Sequence, residues 1–90
     1  MIRISITPEN ARTPDELHSF FYEKLELPPY YGRNLDALYD ALTERSQLTC
    51  IVIENSAAQK AVLGDYYDRL ICVLTDAQAD SDGRLRLLIK

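Results

Sequence analysis

Two pairs of aspartates are the residues of this 90-residue chain best placed to do chemistry. Asp36 with Asp40, and Asp76 with Asp80, are each spaced i, i+4, which on a helix stacks two carboxylates on one face. Such pairs can exchange protons, hold a metal, or meet the cations of a partner. Acid–base work needs a pocket that drives the two pKa values apart, and aspartates on a helix surface lack one. A metal needs more converging ligands, and the chain has no Cys/His spacing that supplies them. His18, the only histidine, follows Asp15 and Glu16, reads as outward or marginal, and has no nucleophile signalled beside it. No glycine-rich loop could cradle a phosphate. The chain therefore reads as a non-enzyme without cofactor or metal, whose carboxylates are contacts for a cationic partner.

Position sharpens this reading. Asp36 falls in the first turn of its helix, where the macrodipole welcomes an anion, so it is partly structural. Asp40 lies a turn further on and gains less. The like-charged pair costs a few tenths of a kcal/mol, and no Lys or Arg is interleaved between Asn34 and Glu44. Asp76 and Asp80, with Asp82 nearby, end a second helix where the dipole disfavours anions.

The segment that presents the first pair runs from Leu27 to Thr43. Pro28, Pro29 and Gly32 exclude regular structure from Pro28 to Gly32. Asn34 is a good N-cap. Leu35, Leu38 and Leu42 form the buried stripe, leaving Asp36, Tyr39, Asp40 and Thr43 on the other side. Of Tyr30 and Tyr31, one should pack under the loop. An exposed tyrosine beside carboxylates suits an interface anchor. Gly32 serves either a turn or the close approach of a partner's backbone.

The remaining elements follow from pattern. Ile2–Ile6 alternates as a half-buried strand. Thr13-Pro14-Asp15-Glu16 opens a helix with a capping box, and its apolar face runs to about Leu25. Cys50–Ile53 is a continuous apolar run, a strand buried on both faces. Ser56–Leu63 is weakly helical, Asp65 caps a longer helix to about Ala79, and Leu85–Ile89 is a last strand. Helical crossovers between three strands give an α/β fold with a parallel sheet, the apolar strand in the middle and one domain over residues 1–90.

Composition is that of a globular protein, 47% hydrophobic and 27% charged, with a formal net charge of −4. Between Asn34 and Asp82 nine carboxylates face three bases, which argues against direct binding to nucleic acid or an anionic membrane and for a basic partner. Cys50 and Cys72 sit in apolar segments and read as buried free thiols. Met1–Ile6 is too short and too alternating for a signal peptide, so the cytoplasm is the expected compartment.

Leu-Pro-x-Tyr-Tyr-Gly-x-Asn-Leu-Asp-Ala-Leu at residues 27–38, followed by Tyr39, Asp40 and Leu42-Thr43, closely resembles the barstar family of intracellular ribonuclease inhibitors. The resemblance covers nearly the full length. It implies a three-stranded parallel sheet of order 1-2-3 with helices packed on it. It also implies a protein that plugs the basic active site of a secreted barnase-type ribonuclease, or of a ribonuclease-tipped toxin, and so protects the cell that makes it. By the same match Asp40 would be the central carboxylate, standing where an RNA phosphate sits, with Asp36 in support. Tyr30 would pack on the enzyme's catalytic histidine, and Gly32, Asn34, Leu35 and Thr43 would be close contacts. Tyr39 stands where the best-known member has tryptophan. Asp76 and Asp80 fall where the family carries acidic contacts. Arg33 adds a positive charge beside the acidic face. The competing reading is a non-inhibitory adaptor that turns the same face to another basic protein.

Overall fold

The alternation at the N-terminus becomes β1 (Ile2–Ile6), with Ile4 and Ile6 buried and Arg3 and Ser5 exposed. The computed structural model describes residues 1–90. β1 pairs in parallel with β2 (Thr49–Ile53), and β2 pairs in parallel with β3 (Leu85–Ile89), in spatial order β1-β2-β3. Register aligns Ile4 with Ile51 and Leu87. All five residues of β2 are buried, as its unbroken apolar run demands.

Each crossover contains two helices. The first holds α1 (Pro14–Lys24) and α2 (Leu35–Glu44), the second α3 (Ser56–Leu63) and α4 (Asp65–Asp80). One hydrophobic cluster draws residues from every strand and helix: Ile4 and Ile6, Leu17 and Phe21, Leu38 and Leu42, Ile51 and Ile53, Leu63, Leu70 and Leu74, and Leu85. Burying side chains of this size is worth about 1.5–3 kcal/mol apiece, so the leucines of α2 and α4 anchor both helices and leave their polar faces free.

Four local expectations need correction. His18 is buried, only 1% exposed. It falls at i, i+3, i+7 with Phe21 and Leu25, inside the apolar stripe, and only its polarity argued for an outward position. Cys72 is exposed whereas Cys50 is buried, both as free thiols. Cys72 lies two residues from Leu70 and two from Leu74, which turns it to the opposite side of α4. Asp65 makes no side-chain cap; Gly64 occupies the cap position and Asp65 is the first helical residue. The box at α1 is shifted: Thr13 Oγ1 accepts from Glu16 N at 3.1 Å, but the Glu16 carboxylate accepts from Arg12 N at 3.1 Å. The Arg12 guanidinium also donates to that carboxylate and holds Glu16 below the usual carboxylate range.

Candidate functional site

Asn34 fixes where α2 begins. Its side-chain oxygen accepts from Ala37 N at 2.7 Å, and its amide nitrogen donates to the Gly32 carbonyl at 3.2 Å. Gly32 lies close to this cap: a β-carbon there would stand 3.2 Å from Ala37 Cβ and 3.3 Å from Asn34 Nδ2. Its φ is not left-handed; the positive φ in this loop belongs to Arg33, at 54°.

The loop divides its two tyrosines. Tyr31 is buried in the core, while Tyr30 is 87% exposed. Tyr30, Gly32 and Asp40 border a shallow cleft of about 420 Å³ whose other lining includes Pro28, Tyr31, Ala37, Ala41 and Glu44. The cleft therefore brings a free aromatic ring and carboxylates together with apolar lining. Glu44 extends Asp36 and Asp40 as a third acid at i+8, a continuation of the same spacing that marked the first two. Arg45 also borders the cleft, but its guanidinium donates to Leu25 O at 2.9 Å and to Gln47 Oε1 at 3.1 Å.

Asp36, Asp40, Asp76 and Asp80 are all exposed. α2 and α4 lie side by side, with Asp36 level with Arg69 and Cys72. Further along, the Tyr39 hydroxyl donates to the Asp80 carboxylate. That hydrogen bond, together with some burial and the charges of Asp80, Asp76 and Asp40, raises the Tyr39 pKa above its ordinary value. Tyr39 thus joins the carboxylates of the two helices into one surface. None of these four aspartates is in a salt bridge; the ion pairs are Arg12–Glu16, Arg33–Asp15, Lys60–Asp68 and Lys90–Glu54.

Three of the expected residues are not freely presented. Leu35 is buried at the first turn of α2. Thr43 donates its hydroxyl back to Tyr39 O at 2.9 Å. Arg33 turns away from the acidic face and donates to Asp15 Oδ1 at 2.8 Å and Ser19 Oγ at 2.7 Å, tying the loop to α1.

The fold and this surface define an α/β protein with a parallel sheet of order 1-2-3 and one uncompensated acidic face. The chain matches the family described as "Barstar (barnase inhibitor)" over residues 1–89. It is also 34% identical over 91 aligned residues, covering 100% of both chains, to a Bacillus subtilis (strain 168) protein named "Putative ribonuclease inhibitor YrdF". The chain belongs to the barstar family, whose members are inhibitors of ribonucleases and not enzymes. No helix is long and apolar enough to cross a membrane.

Proposed function

We propose that this protein inhibits a secreted barnase-type ribonuclease inside the cell that makes it, by inserting α2 and the loop before it into the enzyme's basic cleft. The observation that carries the reading is that Asp36 and Asp40 on α2 and Asp76 and Asp80 on α4 are exposed and in no salt bridge. A ribonuclease cleft is basic because it binds phosphates, and an acidic surface of this kind imitates the RNA backbone. In the docked state Asp40 is desolvated among the enzyme's cations, with Asp36 and Asp76 in support. Tyr30 offers a free ring to stack on the catalytic histidine. Gly32 keeps the loop low enough for the enzyme to approach Asn34 and the first turn of α2. Family membership and the relative's name support the ribonuclease as partner.

Truncating one member of a buried, hydrogen-bonded charge pair costs about 2–5 kcal/mol, a range that the barnase–barstar complex itself helped to set. Asp40→Ala is therefore expected to weaken inhibition of a barnase-type ribonuclease by well over tenfold in a titration, and Asp82→Ala by far less. Equal inhibition by Asp40→Ala and the wild-type protein sinks the plug mechanism. Capture of another basic protein by a wild-type chain that inhibits no ribonuclease favours the adaptor.

A further inference from the structure

A buried histidine with both ring nitrogens engaged lies directly beneath the proposed docking loop. His18 Nδ1 is 2.7 Å from the hydroxyl of Tyr31, and His18 Nε2 is 2.6 Å from the hydroxyl of Tyr66. One imidazole therefore connects α1, the loop that carries Tyr30 and Gly32, and the first turn of α4. Tyr31 stands between the exposed Tyr30 and Gly32, and its own N–H donates to Pro28 O at 2.9 Å. The loop's other ties lie at its ends: buried Leu27, whose N–H donates to Tyr22 O at 3.0 Å, fixes the N-terminal end, and the cap at Asn34 and the clamp from Arg33 to Asp15 and Ser19 fix the C-terminal end.

From this geometry we infer that His18 is a positioning residue for inhibition, which holds the docking loop in its binding shape only while the imidazole is neutral. The inference rests on the reading of that loop as the docking segment. A neutral imidazole donates from one nitrogen and accepts at the other, so one tyrosine receives a hydrogen bond and the other gives one. A protonated ring donates from both. The hydroxyl that had been giving its proton must then turn to accept and find a new acceptor for that proton; the Tyr31 hydroxyl is buried and the Tyr66 hydroxyl half-buried, where an unpartnered group is costly. The charge itself is also unwelcome. Burial and the nearby Arg33 guanidinium disfavour the cation, and the exposed Asp15 carboxylate favours it only partly. The other groups facing the ring are Tyr31, whose hydroxyl burial keeps neutral, and Tyr66, whose ring lies under Arg69 with the guanidinium carbon 5.2 Å from the ring centre. No carboxylate touches the imidazole to stabilise the cation. Loosening Tyr31 releases Tyr30 and Gly32, and a loop that must be ordered on docking binds more weakly.

The test uses His18→Gln, which keeps a donor and an acceptor but cannot charge, and Tyr66→Phe, which removes one anchor about 15 Å along α4 from Asp76 by helical rise. Affinity for a barnase-type ribonuclease that the wild-type protein inhibits is measured in steps from about pH 8 down to about pH 4.5, well below the ordinary histidine pKa, because burial holds the folded imidazole's own pKa lower still. The variant-to-wild-type ratio cancels the enzyme's own titration. Wild type should lose affinity relative to His18→Gln by severalfold on going to the lower pH. Tyr66→Phe should bind about 3- to 10-fold more weakly at the higher pH, the share of one hydrogen bond. Amide exchange in residues 30–33 should quicken in Tyr66→Phe while global stability remains high. A ratio that does not change with pH, together with unchanged exchange in Tyr66→Phe, overturns the positioning role. The exchange data stand even if no ribonuclease is inhibited, so failure of the docking reading and failure of the His18 role are told apart.

Discussion

At the scale of single residues, environment decides which titratable groups matter. The imidazole of His18 is held below its ordinary pKa of 6.5, first by burial and then by Arg33. The unfolded chain therefore takes up a proton more readily than the folded one as pH drops through about 6.5. Above that pH both states are neutral and His18 adds no pH dependence; below it, folding stability must fall. Chemical denaturation between about pH 7.5 and pH 5 should show this decline, and His18→Gln should flatten it, leaving only the titration of carboxylates at lower pH. Tyr39 behaves in the opposite direction. Its hydroxyl donates to Asp80, so the neutral phenol is favoured and ionisation is delayed to higher pH. Alkaline titration by ultraviolet difference spectroscopy should find one tyrosine that shifts downward in Asp80→Asn. If none moves, Tyr39 is not held by Asp80 in solution.

At the scale of elements, the parts read correctly from the sequence are those fixed by neighbours in the chain. Asn34 caps α2 because a short side-chain oxygen reaches the third residue on. Leu35, Leu38 and Leu42 face inward because 3.6 residues make a turn, and β2 lies centrally because Cys50–Ile53 is an unbroken apolar run. The burial of His18 is not legible locally because the partners that satisfy its ring, Tyr31 and Tyr66, lie 13 and 48 residues away. The outward turn of Arg33 was equally unreadable, since Asp15 and Ser19 reach it only once α1 has packed. The end of α1 shows a further limit. Leu27 N donates to Tyr22 O at 3.0 Å and Glu26 N to Glu23 O at 3.3 Å, the paired bonds of a Schellman motif. Glu26 therefore occupies the left-handed position with φ of 51°, where glycine is usual and where the turn signal was absent from the sequence. Glu26→Gly should raise stability by about 0.5–1 kcal/mol, since it removes a left-handed strain greater than the backbone entropy it introduces. A thermal or urea unfolding curve that moves the other way would show that Glu26 contributes contacts worth more than the strain.

At the scale of the whole molecule, charge is segregated. The acids of α2 and α4 lie on the helical side, while Arg3 and Arg86 align across Cys50 on the outward side of the sheet, with Lys90 just past the end of β3. The molecule measures 32 × 27 × 20 Å. At about 0.01 M salt the screening length is roughly 30 Å, and at 0.15 M roughly 8 Å. An approaching basic enzyme thus senses the whole molecule at low salt but only the near face at physiological salt. Steered association can reach about 10⁸–10⁹ M⁻¹s⁻¹ against about 10⁵–10⁶ unsteered, values for which barnase–barstar is itself a reference case. Stopped-flow association with a barnase-type ribonuclease should separate the two regimes. Asp36→Asn with Asp76→Asn should slow association at both salt concentrations. Arg3→Ser with Arg86→Ser should speed it at about 0.01 M by making the molecule more acidic overall, and change it far less at 0.15 M, where the roughly 8 Å screening length is short against the molecule's dimensions. Dissociation should respond to the aspartate changes and not to the arginine changes, because in the proposed docking only the former remove groups at the interface. Equal effects of the two double variants at 0.15 M would place the partner elsewhere than on α2 and α4.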